Sequence, residues 1–161
     1  MLNMNQFRTI AEELQVLVFE WEKKFQHLTK KQIEIPKNNQ NRNIKQIVGH
    51  MIDSASNNIH RVIHLQYRES PLEFPNYATH GNNDRWIAIQ NYREESWENM
   101  VQLWKYIHLH YFHVIRNINP EKIENKWIAD KYEQISLKRM VEDFPRHFNL
   151  HISEIEKLLQ E

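Results

Sequence analysis

Cysteine is absent from this chain of 161 residues, and glycine occurs only twice, at Gly49 and Gly81. Without cysteine the protein has no disulfide bonds, thiolate metal ligands, cysteine nucleophiles or iron–sulfur clusters. Two glycines at these positions form neither a GxGxxG dinucleotide loop, nor a phosphate-binding P-loop, nor a GxSxG nucleophile elbow. So few glycines also disfavour an all-β fold, which needs many turns.

The chain also lacks a long apolar run and an excess of charge of either sign. Nowhere do about 18 consecutive apolar residues occur, and the polar N-terminus has no signal-peptide core. We therefore expect a soluble, cytoplasmic protein with no membrane partner. Lysine and arginine together number 21, as do aspartate and glutamate. This balance, without a basic cluster, argues against nucleic-acid binding. The length predicts a single domain over residues 1–161.

Four segments repeat apolar residues at spacings of three and four, the pattern of a helix with one buried face. The first runs from about Asn5 to Leu28, and the second from an Asn43 cap to about Arg68. The third spans about Glu94 to Ile118, and the last runs from Leu137 to about Gln160. Four helices with one apolar face each predict an all-α four-helix bundle.

The segments between these helices differ in what they predict. The polar stretch TKKQIEIPKNNQNRN indicates a loop, and NDRWIAIQNY, at the end of the long second connection, predicts a short helix. KWIADKYEQI fits either a small hairpin or an extended loop. Asn43 and Gln46 resemble a capping box, and Ser136 is a candidate cap of the last helix. Pro145 predicts a kink within that helix.

Two histidines, His147 and His151, occupy consecutive core-facing positions of the last helix. An i, i+4 pair places both imidazoles on one side of a helix, so both can reach one metal ion. The structural alternative is a pair of buried histidines satisfied by hydrogen bonds. A third ligand should come from another helix at a matching height. His50 on the second helix meets this condition if the second and last helices pack antiparallel.

His50 also begins a polar stripe on the second helix, continued by Asp53, Asn57 and Arg61 at spacings of three, four and four. The stripe is either a solvated face or the polar wall of a site. In a site, Asp53 and Arg61 would be the catalytic residues. Asp53 would act as the partner of a histidine N–H or as a base, and Arg61 would hold a carboxylate of the substrate or of a thiol cofactor. Asn57 would contact the cofactor.

Two other groups of histidines are weaker candidates for a metal site. His60 and His64 form an i, i+4 pair near the end of the second helix, where no flanking apolar run turns both inward. On the third helix only His108 follows the apolar stripe. His108, His110 and His113 therefore cannot converge on one ion from a straight helix.

Three motifs in the same order resemble those of the DinB/YfiT-like family of helical bundles. GHMIDSASNNIHR is similar to the signature of their second helix, and HFNLHISEI to that of their last helix. NNDRW is similar to a segment before their third helix. The resemblance covers nearly the whole chain. It departs at Leu150 and Glu154, where members often carry additional histidines, and at Pro145.

The resemblance implies an up-down-down-up bundle with a long crossover between the second and third helices. It also implies a homodimer, and a divalent metal ion held by His50, His147 and His151. The best-defined activities of the wider family are metal-dependent thiol transfers. In these reactions low-molecular-weight thiols such as bacillithiol or mycothiol are joined to electrophiles or serve as isomerase cofactors.

We therefore expect a metal-dependent enzyme that acts on a small-molecule substrate as a thiol S-transferase or a hydrolase, the metal activating a thiol or water. The crossover, with Tyr77, Asn82 and Trp86, is a candidate lid. The alternative is a non-catalytic bundle protein that binds a metal or a small ligand, and a third interpretation is a dimerisation scaffold. Nitrogen ligands suit zinc, nickel, copper and iron alike, so the sequence does not identify the metal.

Overall fold

Four long helices form the body of the protein, joined by shorter helices and a small sheet. The structure, a computed structural model, describes residues 2–160, with side chains from residue 5 onward. The elements in chain order are α1 (Leu2–Gln26), α2 (Lys30–Glu34), α3 (Ile44–Tyr67), β1 (Leu72–Glu73), α4 (Asn82–Gln90), α5 (Trp97–Arg116), a 3-10 turn (Pro120–Lys122), β2 (Lys126–Asp130), β3 (Glu133–Ser136) and α6 (Leu137–Leu158). The predicted four-helix bundle is confirmed in α1, α3, α5 and α6.

Side-chain caps fix the starts of the two helices that carry the candidate metal ligands. The side chain of Asn43 accepts a hydrogen bond from the amide of Gln46 at 3.0 Å, and the side chain of Gln46 accepts one from the amide of Asn43 at 3.1 Å. Ser136 Oγ accepts a hydrogen bond from the amide of Arg139 at 3.1 Å. Both predicted caps are confirmed, and they satisfy amides that have no partner within the helix. α6 continues through Pro145.

The loop predicted for TKKQIEIPKNNQNRN was wrong over the residues of α2. Thr29 and Gln32 form a capping box there, with hydrogen bonds of 3.3 Å from the Gln32 amide and 2.9 Å from the Thr29 amide. Ile33 anchors this short helix in the interior and is 4% exposed. A reciprocal cap and one buried side chain are enough to order a single helical turn in a polar segment.

The ends of the long helices differ from the prediction by a few residues. α5 begins at Trp97 instead of Glu94, because Ser96 Oγ accepts a hydrogen bond from the amide of Asn99 at 3.2 Å and so caps the helix at that point. At the other end the apolar periodicity continues to Ile118, two residues beyond the last residue of α5, Arg116, and α1 begins at Leu2, before the predicted Asn5.

The short helix predicted before α5 is confirmed as α4. Of the two alternatives predicted for KWIADKYEQI, a hairpin or an extended loop, the structure shows the hairpin. β2 and β3 pair antiparallel with Trp127 opposite Ile135. β1 joins them in parallel, with Leu72 also opposite Trp127. This sheet ties the crossover to the hairpin and places Trp127 against Arg61 of α3.

Contacts at the helix ends show the directions of the first three long helices. The indole of Trp97, the first residue of α5, donates a hydrogen bond to the carbonyl of Phe25 near the end of α1 at 2.9 Å, so these helices are antiparallel. The amide of Asn119, just after α5, donates to the side chain of Gln66 near the end of α3 at 2.8 Å. α3 and α5 therefore run parallel.

α3 and α6 pack antiparallel. The ring centroid of His50 is 4.8 Å from that of His151. Ser54, one turn later on α3, lies opposite His147, one turn earlier on α6. This packing is the one that the predicted site required, and it completes the up-down-down-up topology.

One hydrophobic cluster fills the space between the four long helices. Burial of each large apolar side chain stabilises the fold by roughly 1.5–3 kcal/mol, which holds the helices that carry the polar site in place. The largest fully buried side chains come from all four helices: Phe7, Phe25, Ile44, Ile47, Met51, Leu65, Met100, Trp104, Tyr111, Phe112, Ile115 and Phe148. Among the described residues, no helix combines the length and the apolarity needed to cross a membrane.

Candidate metal centre

Three histidines from two helices meet between α3 and α6. His50, His147 and His151 each offer one ring nitrogen, and these three atoms lie within 4.8 Å of one another. The Nε2 atoms of His147 and His151 are 3.1 Å apart. Of the residues that the structure describes, these form the one group of three or more histidine or acidic side chains compact enough to hold a metal ion. The three predicted ligands are therefore brought together.

Glu154 fixes the orientation of one of these rings. The Nδ1 atom of His151 lies 2.8 Å from Oε2 of Glu154, three residues later on α6. Because a carboxylate only accepts hydrogen bonds, the proton of the neutral ring is on Nδ1, and Nε2 presents its lone pair to the other histidines. A carboxylate behind a ligating histidine is a common arrangement in protein metal sites, where it fixes the tautomer.

His147 has a partner on each side of its ring. Its Nε2 faces His151, and its Nδ1 lies 3.5 Å from Oγ of Ser54 on α3. If Nε2 of His147 carries the ring proton, it donates that proton to the lone pair of His151. If Nε2 of His147 were to hold a metal ion instead, the proton would be on Nδ1, where the Ser54 hydroxyl could accept it. The same geometry therefore accommodates both protonation patterns.

Burial favours the uncharged form of two of these histidines, His50 and His147. Burial, followed by the charges of His151 and His147, lowers the pKa of His50 to about 2. Burial, followed by the charge of His151, lowers the pKa of His147 to about 4. Neutral imidazole is the form that binds a metal. Nδ1 of His50 is also buried with no hydrogen-bond partner among the described residues. Three clustered imidazoles, one of which has a buried ring nitrogen without a hydrogen-bond partner among the described residues, fit a divalent transition-metal ion.

Asp53, one turn after His50, is held by Gln90, the last residue of the crossover helix α4, and by Tyr92, two residues later. Its Oδ1 accepts hydrogen bonds from the Tyr92 hydroxyl at 2.6 Å and from Nε2 of Gln90 at 2.7 Å. Its Oδ2 is buried with no partner among the described residues. Burial raises the pKa of Asp53 to about 6, and the two hydrogen bonds offset part of this rise. Asp53 thus pairs with the crossover, and Glu154 is the carboxylate that pairs with one of the predicted ligands, His151.

A cavity of about 550 Å³ lies beside the histidine cluster, within the size range of small-molecule sites. Of the three predicted ligands, His147 borders it, and Arg61 reaches it from α3. The wall combines residues of α3, the crossover, the hairpin and α6, among them Ser54, Asn58, Tyr77, Trp127 and Phe144. The cavity therefore connects the predicted metal ligands with the predicted anion-binding residue.

The guanidinium of Arg61 is buried in the cavity wall and is 5% exposed. Its central carbon lies 4.0 Å from the ring centre of Trp127, and the rings of Tyr77 and Phe74 are at 5.4 and 5.7 Å. Nε and Nη2 have no hydrogen-bond partner among the described residues. Burial lowers the pKa of Arg61 to about 10, so the group remains positively charged at neutral pH.

Asn57, the predicted cofactor ligand, is placed apart from the cavity. Its side-chain amide donates a hydrogen bond to the backbone carbonyl of Asp53 at 2.9 Å. The neighbouring Asn58 lines the cavity instead. The structure therefore does not bring Asn57 together with the histidines and Arg61.

Of the three crossover residues predicted as a lid, one lines the cavity and the other two do not. Tyr77 lines the cavity, and its ring centroid is 6.1 Å from that of His50. Trp86 packs on Tyr77 with the ring centroids 5.8 Å apart. Asn82 donates a hydrogen bond to the carbonyl of Asn76 at 2.9 Å and so braces the crossover. Tyr77 is thus the lid residue that contacts the site directly.

The other histidines do not add ligands to the centre. The ring centroids of His60 and His64 are 6.4 Å apart, and His60 is exposed. His108 is fully enclosed, and its Nδ1 donates a hydrogen bond to the carbonyl of Trp104 at 2.6 Å. His110 is exposed on the same helix. These placements agree with the sequence analysis, in which both groups are weaker candidates for a metal site.

Comparison with known proteins identifies the fold. No protein-family model matches the chain, and no curated protein sequence matches it. Among solved structures the chain is similar to YfiT from Bacillus subtilis, described as a probable metal-dependent hydrolase with an unusual four-helix bundle topology. The TM-score is 0.79 at 18% sequence identity, and the similarity covers 98% of this chain and 86% of that one.

The fold is that of YfiT. This finding confirms the bundle and the topology that the DinB/YfiT-like resemblance implied. It also means that the chain combines a YfiT-like fold with a cluster of three histidines between α3 and α6.

Proposed function

We propose that the chain is a metal-dependent enzyme in which His50, His147 and His151 hold one divalent cation beside the cavity. The observation that carries this proposal is the convergence of the three ring nitrogens within 4.8 Å. Three protein ligands leave coordination positions open, the arrangement of catalytic rather than structural zinc sites. The likeness in fold to a probable metal-dependent hydrolase supports the same class of chemistry.

A cation at this site supplies a Lewis acid that makes a water or a thiol acidic enough to act as a nucleophile near neutral pH. The chain's own residues orient the site. Glu154 holds the proton of His151 on Nδ1, and Ser54 is placed to accept the Nδ1 proton of His147. Tyr77 of the crossover and Trp127, Ala129 and Ile135 of the hairpin form part of the cavity wall.

Hydrolysis and thiol transfer would use this centre in the same way and differ in the nucleophile. The chain contains no cysteine, so a thiol must come from a small molecule such as bacillithiol or mycothiol. A cavity of about 550 Å³ is large enough to admit a thiol together with a small electrophile. Zinc, nickel and iron all suit the nitrogen ligands. A base role for Asp53, cofactor binding by Asn57, the homodimer and the cytoplasmic location stay predictions.

Turnover by the full chain loaded in turn with zinc, nickel and iron(II) tests the proposal. Chromogenic esters and amides report hydrolysis, and a fluorogenic alkyl halide with bacillithiol, mycothiol or cysteine reports thiol transfer. We expect His50→Ala to lose about 100-fold or more of the turnover with its helical circular dichroism intact, since even the partners of metal ligands affect activity 10–100-fold.

His64→Ala is the matched control, since it removes a histidine of the same helix outside the cluster, and it should keep the wild-type turnover. Equal turnover in His50→Ala and the wild type would contradict the proposal. A metal-loaded wild type that is inactive over the whole panel would favour the non-catalytic binding protein instead.

A further inference from the structure

A buried guanidinium without a counter-ion requires an explanation, since an unpaired charge removed from water is costly. Arg61 is 5% exposed, and no described residue accepts a hydrogen bond from its Nε or Nη2. Trp127, Tyr77 and Phe74 surround it with ring faces. Ring faces attract a cation but leave the planar set of N–H donors unsatisfied.

The other arginines around the cavity already have carboxylate partners. Arg146 makes hydrogen bonds of 2.7 and 2.8 Å with the two carboxylate oxygens of Asp143. Arg139 lies 3.7 Å from the carboxylate of Glu133. Both pairs are at the exposed edge of the cavity. Among the described residues that line it, Arg61 is the cation that has no acidic partner.

We propose that the cavity binds a small monocarboxylate, whose carboxylate accepts hydrogen bonds from Arg61 above the ring of Trp127. The planar guanidinium presents parallel N–H groups that match two carboxylate oxygens. One negative charge fits better than a phosphate dianion, because one free cation faces the cavity and Asp130 adds a negative charge at its edge.

The position of Arg61 also limits the shape of this ligand. Ser54, which lies opposite His147, and Arg61 are seven residues apart on α3, a rise of roughly 10 Å. Apolar side chains such as Phe144 and Trp127 line the same cavity. A substrate that reaches both ends therefore carries its carboxylate several bonds from the reacting group, and an apolar part of it can pack on these side chains. Only this assignment of the reacting end rests on the proposed function.

Binding without turnover tests the carboxylate site. Sodium acetate, butyrate, hexanoate and 3-phenylpropionate are titrated at constant ionic strength into the metal-free full chain. Sodium chloride, inorganic phosphate and the neutral 3-phenylpropionamide are the comparisons. We expect at least one carboxylate to raise the melting temperature above that in chloride and to give a saturable calorimetric titration, because ligand binding to the folded state stabilises it. The amide should have no such effect.

Two variants of Arg61 and one control assign the binding to this residue. Arg61→Met keeps an apolar stem against Trp127 and should bind the best carboxylate at least about tenfold more weakly. Arg61→Lys keeps the charge without the planar fork, and we expect binding several-fold weaker than in the wild type. Arg146→Met removes a paired arginine of the same cavity and should bind within about twofold of the wild type.

The proposal is overturned if no carboxylate stabilises the wild type beyond chloride, or if Arg61→Met and the wild type bind the best carboxylate equally well. Tighter binding of phosphate than of any carboxylate also overturns it, as does an equal loss of affinity in Arg146→Met. Metal content is measured on the same proteins. A wild type that binds carboxylate but no metal supports this proposal and contradicts the proposed function alone.

Discussion

Gly49 packs directly against the ring of Tyr92, whose hydroxyl donates a hydrogen bond to Asp53 one turn further along α3. A Cβ atom on residue 49 would overlap the carbons of that ring. The absence of a side chain at this position therefore lets the end of the crossover lie flat on α3. Tyr92 reaches Asp53 from there, beside His50.

The first prediction concerns this contact. Gly49→Ala should lower the free energy of unfolding by about 1–2 kcal/mol, because overpacking costs about 1–3 kcal/mol and the better helix propensity of alanine offsets up to about 1 kcal/mol. Urea unfolding measures the change. In a Tyr92→Ala background the ring is gone, and the same substitution should become stabilising. A stabilising effect with Tyr92 present would contradict the packing.

Removal of the Tyr92 hydroxyl should destabilise the fold. In Tyr92→Phe the buried carboxylate of Asp53 keeps Gln90 as a donor and loses the 2.6 Å hydrogen bond from the phenol. We expect a loss of about 1–3 kcal/mol in the free energy of unfolding. Tyr132→Phe is the control, since Tyr132 is 90% exposed and should show no comparable loss. Equal effects in the two variants would show that this hydrogen bond does not stabilise the fold.

His108 makes stability depend on pH. Burial lowers its pKa to about 4, although the hydrogen bond to Trp104 opposes this shift. The unfolded chain takes up the proton near the ordinary value of 6.5. The stabilisation is therefore present above pH 6.5 and is lost as the pH falls toward 4. For one such group the loss between pH 7 and pH 5 is about 2 kcal/mol.

His108→Leu should flatten the pH dependence of the free energy of unfolding by that amount, measured by urea unfolding at pH 7, 6 and 5. Leucine suits the surrounding rings of Phe112, Phe144 and Phe148 and does not titrate. Parallel curves for the variant and the wild type would show that His108 is not the group responsible.

Arg61→Met should stabilise the ligand-free protein. The substitution removes a buried charge that has no counter-ion and keeps a side chain of similar length against Trp127. We expect a gain of about 1–3 kcal/mol in the free energy of unfolding, measured without carboxylates in the buffer. A clear decrease in the free energy of unfolding would mean that the contacts between the guanidinium and the three rings stabilise the fold by more than the buried charge costs.

The helices and most of the cluster of three histidines were predictable because their signals are local. Apolar spacing identified α3 and α6, and the caps Asn43 and Ser136 identified where they start. The i, i+4 spacing of His147 and His151 requires no knowledge of other helices. His50 needed one further fact, the antiparallel packing of α3 and α6.

The residues that contact His151, Asp53 and Arg61 were not predicted, for two different reasons. Glu154 lies three residues after His151 on the same helix, so its spacing was a usable signal, but the residue was interpreted as a departure from a family pattern. Tyr92 and Trp127 come from the crossover and the hairpin. No spacing rule places a residue of a long connection over a particular side chain of α3.

Metal content tests the central claim most directly. The full chain is purified without a histidine tag, dialysed with zinc or nickel and then against buffer, and measured by elemental analysis. His147→Ala/His151→Ala is measured beside it, and His60→Ala/His64→Ala, the other i, i+4 pair, is the control. The account predicts about one metal ion per chain in the wild type and the control, and almost none in the His147/His151 variant. A wild type without metal after exposure to both ions would contradict it, as would a variant that keeps the metal.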